Sequence, residues 1–226
     1  LRGGGAPRGD DALHDTAAIL LDEEATGGKL HNAVVIGPPR SGRSSLLRQL
    51  CYMAAVAGQD SRESPVPVLI NLESLVAQCD EGELDAMALV KARDLPEEQH
   101  AMLREAFDRQ EILFLCDNLD RCGQHYKTIA SYLVNTLSTT ARIVVTAGLA
   151  RFKHQHLFAR VGVVQLDVLS PDVQRKTGRA RLSSGKHEGF EKILAKPAVG
   201  LFATTPLTLC MVIELYSSGK MEEKRS

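Results

Sequence analysis

The chain has 226 residues, with 27 lysines and arginines against 28 aspartates and glutamates, a formal net charge of -1, and 44% hydrophobic residues. That balance leaves no excess positive charge for wrapping DNA or holding a polybasic surface on a membrane, and it provides enough apolar material for a packed core. Aromatics at 4% with no tryptophan argue against a base-stacking platform, and no apolar run approaches the roughly 18 residues of a membrane-spanning helix.

Leu1 to Asp10 is rich in glycine and arginine and is expected to be a flexible leader; without an apolar signal region, it reads as the start of a piece of a longer chain. Asp11 to Glu24 places Leu13, Ala17, Leu20 and Leu21 at a helical period, and Ala25-Thr26-Gly27-Gly28 breaks it. Ala33 to Ile36 is a short apolar run without alternation, the pattern of a strand buried on both faces. Ser44 to Ala57 then sets Leu46, Leu47, Leu50, Cys51 and Ala54 on one helical face, with Gly58 expected to close it. Val66 to Asn71 predicts a second strand, placed at an edge by Pro67. Pro96-Glu97-Glu98 opens a helix, since proline suits a first turn and acidic side chains suit its partial positive charge.

Ile112 to Cys116 predicts a third strand, Tyr126 to Leu137 a helix, Arg142 to Thr146 a fourth strand and Val161 to Leu166 a fifth. From Ser170-Pro171-Asp172 onward the pattern is helical. Strands separated by helices predict an α/β domain with a parallel five-stranded sheet in three layers, followed by a small helical subdomain. The expected division is a leader at 1–10, an α/β domain at 11–169 and a helical part at 170–226 whose continuation lies beyond the chain. Cys51, Cys79, Cys116, Cys122 and Cys210 are scattered, with no disulfide spacing, and point to a reducing, cytoplasmic setting.

The stretch Gly37-Pro38-Pro39-Arg40-Ser41-Gly42-Arg43-Ser44-Ser45 carries the chemistry. It follows a buried strand, precedes a helix and matches the phosphate-loop spacing G-x-x-x-x-G-K-[ST], with Arg43 in place of the lysine. Gly37 and Gly42 give the backbone freedom to approach phosphates, and the amides from Arg40 to Ser44 can form an anion nest at a helix N-terminus. Pro38 and Pro39 supply no amide. Ser44 offers a hydroxyl to magnesium and Ser45 can reach the α-phosphate. Arg43 still neutralises phosphate, but it is longer and planar where lysine is compact, which leaves hydrolysis open.

Ile112 to Asp120 supplies the partner motif. Asp117, at the end of a buried strand, is a candidate magnesium ligand, and Asp120 could orient or activate a water. With these residues the sequence resembles a NACHT-type domain of the STAND class of P-loop NTPases. That family's second motif runs strand, Asp, small residue, apolar residue, Asp, Glu; here it reads Asp117, Asn118, Leu119, Asp120 and then Arg121. Thr146-Ala147-Gly148 stands where the family carries Thr-Ser-Arg, so the arginine that senses the γ-phosphate is absent, and Arg151 lies too far along to be taken as its substitute. Leu166 to Pro171 resembles the junction into the helical subdomain. Thr205-Pro206-Leu207-Thr208-Leu209 resembles the family's Asn-Pro-Leu-x-Leu, which implies that Pro206 packs on the base; the alternative for Pro206 is a helix opening.

The resemblance implies a P-loop NTPase fold, ATP or ADP with Mg2+ as ligands, and a signalling switch that self-associates or acts on adjacent domains. Catalytic roles would fall to Asp117, Asp120 and Arg43. No Asn-Lys-x-Asp segment supports guanine, so adenine is expected. Arg43, Arg121 and Gly148 equally fit a pseudo-NTPase scaffold, and nucleic acid is not expected as a partner. His154-Gln155-His156 and the trio Cys116, Cys122 and His125 lack zinc-site spacing. The basic cluster Arg175, Lys176, Arg179, Arg181 and Lys186 reads as a solvated helix face, with a docking surface for an acidic partner as the alternative.

Overall fold

The computed structural model describes residues 32–60, 64–82, 84–91 and 95–221. The expected leader, the helix at Asp11–Glu24 and the break after it lie outside the described residues. The chain divides into two compact units, one built on residues 32–37 and 43–165, the other on 38–42 and 166–221.

The first unit holds β1 (Asn32–Gly37), β2 (Val66–Asn71), β3 (Ile112–Asp117), β4 (Arg142–Gly148) and β5 (Gly162–Gln165). All pair in parallel, in the order β2-β3-β4-β1-β5. The apolar runs of β1, β3 and β4 are interior strands, and alternate residues serve opposite faces. Val34, Ile36, Phe114, Cys116, Ile143 and Val145 join one core with Ile129 and Leu133. The other face takes α1 (Arg43–Asp60), whose Leu46, Leu47, Leu50 and Ala54 are buried and which touches β1 to β4. This is the three-layer arrangement expected.

Pro67 does sit on an edge strand, where its missing N–H breaks no ladder on the outer side. β5 is shorter than the expected Val161–Leu166. Val161 instead donates its N–H to Phe158 O (3.0 Å), closing the 3-10 turns of Leu149–Phe158. The first helix also outlasts its expected end: Gly58 stays helical and α1 runs to Asp60, while left-handed glycine is used at Gly82 (φ 86), which closes α2 (Val76–Glu81). Two more helices, α3 (Ala86–Lys91) and α4 (Glu97–Asp108), precede β3. The helix expected over Tyr126–Leu137 is α5 (Tyr126–Tyr132) followed by a π turn at Leu133–Leu137, which buries Leu133, Val134 and Leu137.

Among its described residues the second unit has four α-helices, α6 (Pro171–Arg181), α7 (His187–Leu194), α8 (Pro197–Phe202) and α9 (Pro206–Ser217), with a 3-10 turn at Ser184–Lys186. Ser170 opens α6 as expected, its hydroxyl accepting from Val173 N, with Pro171 in the first turn. Thr205 and Thr208 form a reciprocal capping box at the start of α9. Phe190, Leu194, Ala203, Leu209, Val212 and Ile213 make its core. No helix among the described residues is long and apolar enough to cross a membrane.

Candidate functional site

Gly37 ends β1 and is buried, and the loop that follows is contorted in a specific way. Arg40 has φ 67 and Gly42 φ 94, so two left-handed residues flank Ser41. A side chain at Arg40 makes this conformation cost about 1–2 kcal/mol, and at Gly42 any L side chain would be strained. Ser41 N donates to Pro38 O (3.3 Å), closing the turn. The Ser41 hydroxyl is buried, the residue being 7% exposed, and it has no hydrogen-bond partner among the described residues. The bond to Pro38 O takes up the Ser41 amide, one of the Arg40 to Ser44 amides expected to face an anion.

Arg43, Ser44 and Ser45 begin α1, whose first turn carries no acidic side chain. Ser44 is half-buried and Ser45 exposed. Pro206 is the first residue of α9, so its helix-opening role is realised. It also lies beside the loop, since a Cβ built on Gly42 would be 3.6 Å from Pro206 Cγ.

At the carboxyl edge of the sheet, Asp117 is held by one oxygen. Its Oδ1 accepts from Thr146 Oγ1 (2.5 Å) and from Asn118 N (3.0 Å). Thr146 is fully buried, and its hydroxyl oxygen also accepts from Asn118 N (3.1 Å). Asn118 is left-handed (φ 69, ψ 36) and turns the chain off β3, and its Nδ2 donates to Asn71 Oδ1 (3.2 Å) on the neighbouring strand. Asx residues tolerate that region better than most, which explains a small polar residue at this position.

Asp120 is engaged by Arg43, whose Nη1 donates to Asp120 Oδ1 at 2.9 Å, with the two side chains only 14% and 24% exposed. Gly148 makes room for this pair: a Cβ there would fall 2.9 Å from Asp120 Oδ2 and 3.1 Å from its Cγ. The position expected to lack a sensor arginine therefore abuts the carboxylate of the second motif. Arg121, in the place of the family's second acid, reaches toward Glu73 (3.9 Å) in an exposed pair. The side chain of Arg151 lies outside the described residues.

The structure thus brings together Arg43 with Asp120, Gly42 with Pro206, and Asp117 with Thr146. Sequence reasoning missed the Thr146 hydroxyl as the anchor of Asp117 and Gly148 as the clearance for Asp120. Thr146 carried a signal, being the polar residue that ends an otherwise apolar run. Gly148 carried none, because its reason lies in a distant segment.

Buried thiols border this edge. Burial, helped by the nearby Asp117 carboxylate, pushes the Cys116 thiol up to about 12. Burial, then the charges of Cys79, Glu73 and Asp120, pushes Cys122 up to about 12 as well. Both remain neutral thiols at ordinary pH and act as small apolar groups. His125 pairs with Asp80 (3.5 Å); the side chains of His154 and Gln155 lie outside the described residues. In the basic cluster, Arg175 pairs with Asp172, Arg179 with Glu191 (2.6 Å), Arg181 contacts Cys210 Sγ (3.0 Å) and Lys186 donates to Ser217 O (2.7 Å).

The sequence matches no family model and no curated protein. Solved structures do match. The Aeropyrum pernix Orc1 protein, solved in complex with DNA, is similar at 11% identity and a TM-score of 0.54 over 95% of this chain and 66% of that one. Domain III of the Thermotoga maritima replication initiation protein DnaA is similar at 11% identity and a TM-score of 0.50, covering 97% of this chain and 89% of that one. Thermotoga maritima RuvB, a Holliday junction branch migration motor, is similar at 14% identity and a TM-score of 0.50, covering 92% and 61%. This chain therefore spans less than two thirds of RuvB and 66% of the Orc1 chain. At such identities the likeness is one of fold. It is the α/β fold of P-loop NTPases, with its parallel sheet and flanking helices.

Proposed function

We propose that the chain is an ATP- or ADP-binding switch, a NACHT-type domain of the STAND class, whose nucleotide state controls its conformation and its self-association or its action on adjacent signalling domains. The observation that carries this reading is the Ser41 hydroxyl, buried and without a partner among the described residues, between two left-handed residues on a loop that leads into a helix. An orphaned buried hydroxyl costs about 1–3 kcal/mol, and a phosphate oxygen is a partner that removes the cost.

In this reading Gly37, Arg40, Ser41, Gly42, Arg43, Ser44 and Ser45 hold the phosphates, and Pro206 packs on the base. Ser44 and Asp117 would hold magnesium. Asp117 fits that task, because Thr146 and Asn118 occupy its Oδ1 and no described residue donates to its Oδ2. Magnesium held there would supply charge neutralisation to the phosphates. Hydrolysis would need Asp120 to orient water and Arg43 to offset developing charge. A cytoplasmic setting accompanies the reading, since the cysteines are free. The fold likeness to Orc1 is not carried over to DNA, because the net charge is -1.

A second reading, a pseudo-NTPase scaffold or oligomerisation module, is favoured by the closed Arg43–Asp120 pair and by Arg121 where a second acid would stand. A titration with fluorescent ATP and ADP, with and without magnesium, separates the two. Saturable micromolar binding that is lost in Ser44→Ala combined with Asp117→Ala supports the switch. Absence of saturable binding in every variant of the loop and of the Arg43–Asp120 pair leaves the scaffold.

A further inference from the structure

The Arg43–Asp120 pair has a property that neither expected role explains. Arg43 stands where the loop needs a free cation, and Asp120 stands where the water would need a free carboxylate. Each is taken up by the other at 2.9 Å, in a largely shielded setting. The contact joins the first residue of α1 to the turn after β3, 77 residues away. It is accommodated by the bare Cα of Gly148, because any side chain there would drive into the Asp120 carboxylate.

We infer that Asp120 is a built-in competitor for the phosphate chain, a latch that a nucleotide must displace from Arg43 before the loop binds it tightly. The inference rests on the nucleotide-binding reading above and adds the regulation of that site. The guanidinium is always charged and offers several N–H donors in a fixed plane, so it can hold a carboxylate and a phosphate by the same chemistry. Taking the phosphate on the remaining donors does not remove the competition. It would set a polyanion within a few ångströms of Asp120, where partial burial weakens solvent screening. Either the pair opens or the two anions repel, and both outcomes lower affinity for nucleotide in the latched state. A lysine is a compact point charge that can leave a carboxylate by bending its stem, whereas the arginine fork is held in a defined plane. The arginine at position 43 is therefore the feature that makes the latch, and Gly148 is the feature that permits it.

The test is the affinity of the full chain for ADP, without and then with magnesium, by isothermal calorimetry, each variant first shown to fold by circular dichroism. Asp120→Asn keeps the shape and removes the charge, and it is expected to tighten ADP binding about tenfold, the scale of one charge-assisted hydrogen bond. Gly148→Ala displaces the carboxylate without changing any charge, and several-fold tightening is expected. In an Arg43→Ala background, Asp120→Asn is expected to change affinity less than about twofold, because the latch is already gone. Tightening that persists in that background would mean general charge repulsion and would overturn the latch while nucleotide binding stands. Unchanged or weaker binding in both Asp120→Asn and Gly148→Ala would overturn it equally. ADP binding that appears only when the pair is broken supports both the latch and the site. Absence of binding in wild type and every folded variant removes the nucleotide reading, and the latch with it.

Discussion

In the sheet unit, Phe114 lies within β3 among apolar residues of neighbouring strands and helices, and among the described residues no glycine clearance involves its ring. In the helical unit, Phe190 fills space that exists only because residue 178 has no side chain: a Cβ there would lie 2.1 Å from its ring. Gly189 is likewise cleared for the Tyr216 hydroxyl (2.3 Å) and Gly200 for the Leu194 carbonyl (2.8 Å). Each of these glycines lies inside a helix, where it is about 1 kcal/mol worse than alanine. Apart from Gly148 against Asp120, the sheet is thus held by many contacts between branched side chains, and the helices by a few close approaches that accept no added atom.

Adding and removing one methyl puts that contrast to the test. Gly178→Ala is expected to destabilise α6 to α9 by about 3 kcal/mol, since an overpacked site must shift backbone or an aromatic ring. Ile143→Val, which removes a buried methyl near the start of β4, is expected to cost about 1 kcal/mol. Amide hydrogen exchange reads each unit separately. A loss below 1 kcal/mol for Gly178→Ala would show that the helices relax as freely as the sheet and would end the distinction.

A smaller effect sharpens it. Thr205→Ala removes one half of the capping box and the hydroxyl that accepts from Thr208 N, and it is expected to cost about 1 kcal/mol. Because Pro206 follows directly, the same substitution is expected to loosen the first turn of α9 beside Gly42. Faster exchange at Leu209, whose N–H bonds to Thr205 O, is the readout. Unchanged exchange there would mean that proline alone sets the turn.

The two units were also unequally legible. Interior strands announce themselves because both faces are covered, so Val34, Val35, Phe114, Leu115, Val144 and Val145 leave unbroken apolar runs. Pro67 marked the edge, and Ser170 with Pro171 marked the opening of α6, because each acts through its own backbone. The turn from β1 into α1 was legible for the same reason: its glycines, prolines and serines lie within a few residues of one another. What escaped were relations between distant segments. Nothing near Gly148 states that Asp120 lies against it, and nothing near Arg43 states which carboxylate it meets. The π turn at Leu133–Leu137 escaped because its apolar spacing also satisfies an ordinary helix. Gly58 misled because glycine ends a helix only where it turns left-handed, and here it does not.

The cysteines carry the comparison to its smallest and most local scale. Cys116 and Cys122 are sealed in the sheet unit's core, whereas Cys210 in the helical unit is half-exposed beside Arg181. At pH 8 a thiol reagent is therefore expected to label Cys210 well before either core thiol, as peptide mass spectrometry would read directly. The raised values of Cys116 and Cys122 also fix a pH window. Folding favours their protonated forms, so their contribution is complete below about pH 9, the unfolded value, and is lost as pH rises toward about 12. Cys116→Ala should flatten the fall in unfolding free energy across that window, measured by urea titration at several pH values. An unchanged slope would mean that water reaches Cys116, and the sheet's core would then be less tightly closed than its packing implies.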